Sequence, residues 1–174
     1  MASLQLYVSS RPAALAFELS NKPEAQPRPG SRQNCRYNPK KALLLGARDK
    51  IANLIESFSP PNHRRNVPLF PEPHFLSVEV VFHWPRPRSH MARGGSSVLG
   101  RIDSQFEKCF PKKKDDVDNL AKFILDAMTG PVYSDDSQVA KLTVIKVHDN
   151  EDTCEGRTEV KITEIVSLDQ LTMP

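Results

Sequence analysis

The chain has 174 residues, with 24 lysines and arginines against 21 acids and a formal net charge of +3. This length predicts one domain with a single modest core. No apolar run approaches the ~20 residues of a membrane-spanning helix, so we expect no membrane association. Residues 1–115 hold 19 basic and 9 acidic side chains, whereas residues 116–174 hold 5 and 12. This division favours an enzyme that binds a polyanion with one half and a metal ion with the other.

The three cysteines, Cys35, Cys109 and Cys154, are far apart and form no CxxC pair. This spacing argues against a disulfide framework and against a zinc site. We therefore expect an intracellular, reducing compartment such as the cytoplasm. The first 17 residues contain no acid, so an organelle or the nucleus stays open as an alternative.

Six regular elements are predicted after a flexible N-terminal tail over residues 1–12. Their order is strand, helix, strand, helix, strand, strand, over residues 13–19, 38–58, 75–84, 117–128, 139–148 and 157–165. The order predicts an α/β (α+β) fold, with a small mixed sheet and two main helices. The last two strands are most simply paired as a hairpin. We expect one domain over residues 13–166 and a C-terminal tail over 167–174.

Two proline- and arginine-rich connections could lie along a phosphate backbone. The first is a loop over residues 21–36, and the second is a long basic loop over residues 85–114. Loops of more than ~15 residues in a compact domain are usually functional or disordered, so we expect the second to order on its ligand. A plain solvated loop explains the composition equally well. The residues predicted to contact such a backbone are Arg28, Arg32, Arg86, Arg88, Lys112, Lys113 and Lys114.

Two acidic clusters flank the second predicted helix. One is Asp115-Asp116-Val117-Asp118, and the other is Asp135-Asp136. Carboxylates gathered this densely repel one another, and a bound divalent cation with oxygen ligands is the usual reason for their convergence. A charged helix start followed by a charged turn is the alternative, and spacing alone does not separate the two interpretations.

The helical period gives the acidic residues a definite arrangement. Asp118, Lys122 and Asp126 are spaced four residues apart, so they share one exposed stripe. Asp116 can converge with Asp118 only if it lies just outside the first turn. An EF-hand is excluded, because Leu120 and Ala121 occupy the positions that need an oxygen ligand and a glycine.

A specific combination of residues resembles the RusA family of Holliday-junction resolvases. The matching segments are Lys114–Lys122 (KDDVDNLAK), Asp126–Met128 (DAM) and Asp135–Val139 (DDSQV), and the following strand reaches Lys146. The family usually has proline where this chain has Asp115, a departure that could alter metal affinity. The resemblance is strong over about residues 112–146 and loose elsewhere.

The resemblance implies a catalytic set of Asp116, Asp118, Lys122 and Asp136. The three aspartates would bind Mg²⁺ or Mn²⁺, with Asp135 and Asp126 as lesser candidates. Residue spacing alone does not choose between Asp135 and Asp136. Lys122 would hold the scissile phosphate or help to orient the attacking water.

The function implied is a Mg²⁺-dependent endonuclease that resolves four-way junctions or other branched DNA by paired nicks, in recombination and repair. Paired nicks on a two-fold-symmetric junction predict a homodimer. Two other functions remain open: a module that binds branched DNA without cleaving it, and a metal-dependent phosphohydrolase that acts on small phosphate esters.

Overall fold

The computed structural model describes residues 5–8, 12–20, 22–25, 30–32, 35–37, 41–58, 67–90, 102, 109–111, 115–149 and 155–166. Its strands are β1 (Gln5–Val8), β2 (Pro12–Leu19), β3 (Gly30–Arg32), β4 (Cys35–Tyr37), β5 (Leu76–Trp84), β6 (Val139–His148) and β7 (Arg157–Glu164). Its helices are α1 (Lys41–Phe58) and α2 (Val117–Met128). None of the described helices has the length and apolar character needed to cross a membrane.

The main sheet is mixed and has the strand order β1-β2-β7-β5-β6. β6 runs parallel to β5, and the other neighbouring strands are antiparallel. The α+β fold is confirmed, since β2, α1, β5, α2, β6 and β7 follow one another in the predicted order. Parallel strands need a crossover connection, and α2 lies in the connection between β5 and β6. β6 forms one edge of the sheet.

The predicted β6–β7 hairpin is wrong, because β7 lies between β2 and β5 and is not a neighbour of β6. The burial of β7 explains this position. Thr158, Val160 and Ile162 are buried, and a strand with such a continuous buried row is stabilised best in the middle of the sheet.

Three short strands occupy segments for which no strand was predicted. β1 lies inside the expected tail over residues 1–12 and pairs with β2, Gln5 opposite Ala16. β3 and β4 pair with each other in the region of the expected loop over 21–36. Strands of three or four residues are too short to show a period in the sequence. The predicted helix start at Asn38 and Pro39 lies outside the described residues.

The core fills one face of the main sheet. β5 buries Leu76, Val78, Val80, Phe82 and Trp84 on that face. The buried residues Ile51 and Ile55 of α1, and Leu120 and Ile124 of α2, belong to the same apolar cluster. Both helices therefore pack on the same side of the sheet, and α2 contacts β6 near the edge.

Candidate functional site

Helix α2 is anchored by its apolar side and presents acidic residues on the other. Its buried residues are Leu120, Ala121, Phe123, Ile124, Ala127 and Met128. Val117, the first residue of the helix, is 40% exposed and does not share this buried side. Asp118 and Lys122 are exposed and Asp126 is half-buried. Within the described residues, no ion pair joins Asp118 to Lys122.

Asp116 lies at the N-cap of α2, just outside the first helical turn. Its backbone is extended, with φ −69° and ψ 146°, and its carbonyl oxygen accepts the first helical hydrogen bond from the amide of Leu120 at 3.1 Å. An aspartate at this position usually accepts a backbone N–H with its side chain. Here the side chain makes no capping hydrogen bond, so this exposed carboxylate is not used to stabilise the helix.

Lys146 of β6 holds the chain that enters α2. Its Nζ donates a hydrogen bond to the carbonyl oxygen of Asp115 at 3.1 Å. The neighbouring residues Asp116 and Asp118 are therefore fixed relative to the C-terminal end of β6.

Replacing Lys146 with methionine should loosen the entry to α2. Methionine keeps the apolar stem but loses the donor, and a charged hydrogen bond contributes about 1–2 kcal/mol. We expect the free energy of unfolding to fall by that amount. For any metal-dependent activity, we also expect the Mg²⁺ concentration that gives half-maximal activity to rise. Urea titration and a Mg²⁺ titration measure the two effects. Lys141→Met, on the other face of the same strand, is the control, and equal losses in both variants would contradict this role for Lys146.

The C-terminal end of α2 is closed by a tight turn that precedes the second acidic cluster. Gly130 adopts a φ of +100°, a conformation that favours glycine. The buried Tyr133 donates its hydroxyl to the carbonyl oxygen of Leu125 at 2.9 Å. Burial raises the pKa of Tyr133 far above its usual range, and the charge of Asp136 adds to this shift, with smaller contributions from Asp126 and Asp135. The charges of all three acids therefore act on the buried hydroxyl near the end of α2.

Asp135 and Asp136 have different surroundings although they are adjacent. The Asp135 carboxylate accepts the amide N–H of Ser137 at 2.9 Å in a capping box. Hydrogen bonding with the Ser137 hydroxyl, and then with this amide, lowers the pKa of Asp135. Asp136 begins the following short 3₁₀ turn, and its side chain is exposed. The turn thus uses the Asp135 carboxylate and leaves that of Asp136 facing solvent.

Gln138 is the buried centre of this turn. Its Oε1 accepts the amides of Ser134 and Asp135, at 2.8 and 3.2 Å. Its Nε2 donates to the carbonyl oxygens of Phe70 and His74, at 3.2 and 2.9 Å. One side chain thereby ties the acidic turn to the segment before β5, and this explains the glutamine that follows the two aspartates.

Replacing Gln138 with alanine should therefore destabilise the protein. Four backbone groups would lose their partner at a site that is 4% exposed. Unsatisfied buried groups cost about 1–3 kcal/mol each, partly offset where water enters, so we expect about 3 kcal/mol in total. Thermal or urea unfolding measures this loss. Ser134→Ala is the control, since its side chain is exposed and alanine keeps its backbone amide. A loss below about 1 kcal/mol for Gln138→Ala would contradict the described role.

The two acidic clusters lie near opposite ends of β6 in one chain. Asp115 meets Lys146 near the C-terminal end of this strand, whereas Asp136 directly precedes its first residue, Val139. The path from Val139 to Lys146 is roughly 23 Å at 3.3 Å per residue. Among the described residues, no group of three or more His, Cys, Asp or Glu side chains is arranged to hold a metal ion. The carboxylates suit Mg²⁺ chemically, but a single described chain does not bring all three predicted ligands together.

The predicted DNA-binding residues are only partly covered by the structure. Arg28, Lys112, Lys113 and Lys114 lie outside the described residues, as does most of the loop over 85–114. The backbone of Arg32 lies in β3, and the backbone of Arg88 lies in a short 3₁₀ turn. Arg86 is half-buried and donates its Nε hydrogen to the carbonyl oxygen of Asp149 at 3.3 Å.

An ion-pair network beside Arg86, centred on the buried Asp149, was missed from the sequence. Asp149 is 3% exposed and pairs with Arg157. His83 Nε2 lies 3.1 Å from a carboxylate oxygen of Glu159 on the open face of the sheet. In the sequence, only the position of Asp149 directly after an apolar strand could have indicated its burial. The network fixes the C-terminal ends of β5 and β6, next to the start of α2.

Comparison with known proteins agrees with these features. The family model described as endodeoxyribonuclease RusA matches residues 20–163. The chain is also similar to the uncharacterized protein YqaN of Bacillus subtilis (strain 168), with 33% identity over 90 residues. That alignment covers 52% of this chain and 58% of YqaN, so it spans less than two thirds of the relative. Because the family match covers most of the chain and includes both acidic clusters, the chain belongs to the RusA endodeoxyribonuclease family.

Proposed function

We propose that this chain is a Mg²⁺-dependent endonuclease that resolves Holliday junctions, or other branched DNA, by paired nicks in recombination and repair. The observation that carries the proposal is the family match over residues 20–163, which contains both acidic clusters. The exposed, uncapped carboxylate of Asp116 adds support, because a structural N-cap would engage it.

The chemistry of the site follows from the charge of a phosphodiester. Bound Mg²⁺ or Mn²⁺ would neutralise the charge that develops on the phosphoryl oxygens and lower the pKa of a bound water. Asp116, Asp118 and Asp136 are the proposed metal ligands, and the engagement of Asp135 in its turn favours Asp136 over it. Lys122 follows Asp118 by one helical turn and is exposed, so it can hold the scissile phosphate. Asp126 is half-buried and is a lesser ligand candidate.

The separation of the acidic clusters suggests a site that is shared by two chains. Within one chain, Asp136 lies near the opposite end of β6 from Asp116 and Asp118. We propose a homodimer in which Asp116 and Asp118 of one copy act with Asp136 of the other. Such a dimer has two equivalent sites related by a two-fold axis, as two symmetric nicks require.

The basic residues would bind the DNA backbone without reading its sequence. Arg28, Arg32, Arg88 and Lys112–Lys114 are the proposed phosphate contacts. Arg86 is the weakest of the predicted set, because its guanidinium already donates to the Asp149 backbone.

A cleavage assay with three substrates tests this proposal. A synthetic four-way junction, a linear duplex of the same sequence and a small phosphate ester are each incubated with and without Mg²⁺. We expect Mg²⁺-dependent cutting of the junction only. Junction binding without cutting in any condition would identify a binding module, and turnover of the ester without DNA would identify a small-molecule phosphohydrolase.

A further inference from the structure

A cavity of about 470 Å³ opens between helix α1 and the ends of three strands, outside both acidic clusters. This volume is typical of sites that bind small molecules, which range over ~300–1,000 Å³. The floor of the cavity includes Leu19, Thr158 and Phe82, which are paired directly across β2, β7 and β5. Phe123 and Ile124 of α2 line it on one side, and α1 lines it on the other. The cavity is therefore built on the packed core of the domain.

A glycine keeps the α1 side of this cavity open. Ala42, Gly46 and Lys50 are spaced four residues apart and all line it, so one face of α1 points into the cavity. A Cβ atom added to Gly46 would meet no atom within 4 Å. Glycine inside a helix is less stable than alanine, and no described segment approaches closely enough to require it here. The glycine suits a ligand that lies against the backbone of α1.

The rim of the cavity is basic where its floor is apolar. Lys22 and Lys50 both line it and are exposed. The Nζ of Lys22 lies 5.6 Å from the centre of the Trp84 ring, and neither lysine forms an ion pair among the described residues. Gly156 allows Lys22 to lie here, because its φ is +112° and a Cβ would be 2.8 Å from the Lys22 Cα. An apolar floor with two cations at the rim is complementary to a flat ring that carries a phosphate.

The cavity lies close to the proposed catalytic residues. Phe82 on its floor is paired with Lys146 of β6, and Lys146 holds the backbone of Asp115 at the entry to α2. Adjacent strands are only ~4.8 Å apart. Phe123 directly follows Lys122 in α2, and Lys122 is the proposed contact to the scissile phosphate. A nucleotide near that phosphate can therefore reach the cavity.

We propose that this cavity receives one nucleobase that leaves the stack at the branch point of the DNA, while its phosphates lie at Lys22 and Lys50. Extrusion costs least where a base already lacks a paired or stacked neighbour, and a branch point supplies such bases. The apolar floor packs against the base, as in other sites for unstacked nucleotides. Thr158 and Glu155 supply polar groups for its edge. The inference rests on the proposed function in taking branched DNA as the ligand.

A double-mutant cycle between the cavity and the base tests this proposal. Gly46→Leu fills the cavity with a residue that favours a helix, and junctions with one abasic nucleotide beside the branch point remove each base in turn. Gel-shift binding is measured without Mg²⁺, so that nothing is cut. We expect Gly46→Leu to bind the intact junction about tenfold more weakly than wild type. For one abasic position, the two proteins should bind within about twofold of each other.

A fluorescent base at that position gives a second readout. 2-Aminopurine should brighten at least about threefold when wild-type protein binds, since the base leaves the stack, and should not do so with Gly46→Leu. Ala42→Leu fills the same cavity from one turn away and should give the same result, so a folding defect in one variant does not decide the test. Leu45→Phe is the control, because Leu45 is exposed and does not line the cavity.

The outcomes separate the base pocket from the proposed function. Equal affinity of wild type, Gly46→Leu and Ala42→Leu for every junction would overturn the pocket and leave the cavity to a ligand other than DNA. Such a result would leave junction cleavage by the wild-type protein unaffected. Base insertion by a wild-type protein that does not cut junctions with Mg²⁺ would support the pocket and overturn the endonuclease function instead.

Discussion

Replacing Asp118 with asparagine should abolish junction cleavage while leaving junction binding intact. The substitution removes one charge from an exposed position in the first turn of α2 and keeps the shape of the side chain. A carboxylate ligand contributes to holding the cation that offsets the developing phosphoryl charge. We expect cleavage to fall at least about a thousandfold, which corresponds to ~4 kcal/mol in activation free energy. The basic residues that bind phosphates are unchanged, so the affinity for the junction should stay within about twofold.

Asp49→Asn is the control for this substitution. Asp49 is an exposed aspartate in the middle of α1, so its replacement changes the net charge equally without altering α2. Single-turnover cleavage and gel-shift binding are measured for both variants. Junction cleavage by Asp118→Asn at the wild-type rate would show that the proposed site is wrong.

Mixing two inactive variants should partly restore cleavage. In a dimer of one Asp118→Asn chain and one Asp136→Asn chain, one site carries both substitutions. The other site combines the intact Asp118 of one copy with the intact Asp136 of the other. Roughly half of the dimers are mixed after subunit exchange, so about a quarter of all sites should be active. The product should be single nicks, because each mixed dimer has only one working site.

The same mixture distinguishes a shared site from a site within one chain. If Asp116, Asp118 and Asp136 of one chain acted together, every site in the mixture would carry one substitution and cleavage would stay at the level of the single variants. Each variant incubated alone is the control. Differently tagged chains verify that subunits have exchanged. If cleavage does not recover after that exchange, the result would contradict the shared site.

The sequence predicted the regular elements well where the apolar pattern was long. α2 and β6 have the predicted bounds, Val117–Met128 and Val139–His148, because each has an apolar pattern that extends over ten or more residues of sequence. The position of Asp116 outside the first turn was also predictable, since two residues two apart in a helix point in different directions.

Strand pairing was not predictable in the same way. β6 and β7 are consecutive in the sequence, and consecutive strands most often pair, yet β7 inserts between β2 and β5. The position of β7 depends on contacts between segments that are distant in sequence. Val160 and Ile162 are buried on the core face when β7 lies between β2 and β5. The local pattern of β7 is compatible with either position.

The residues of the candidate site remain a prediction from the motif, and their arrangement was not predictable from the sequence. The motif placed Asp116, Asp118 and Asp136 in one set, and the structure puts them near opposite ends of one strand. The role of Gln138 follows from contacts with residues almost 70 positions away, which spacing within the motif does not reveal. Hydrogen bonding also distinguishes Asp135 from Asp136, and residue spacing alone did not allow that distinction.

The most direct test of the central claim is cleavage of a four-way junction with each strand labelled in turn. Wild-type protein with Mg²⁺ should make two symmetric nicks in opposed strands and leave ends that a ligase can seal. The linear duplex of the same sequence should remain intact, and chelation of the metal should stop the reaction. Equal cleavage of junction and duplex, or no cleavage of the junction with Mg²⁺, would contradict the account.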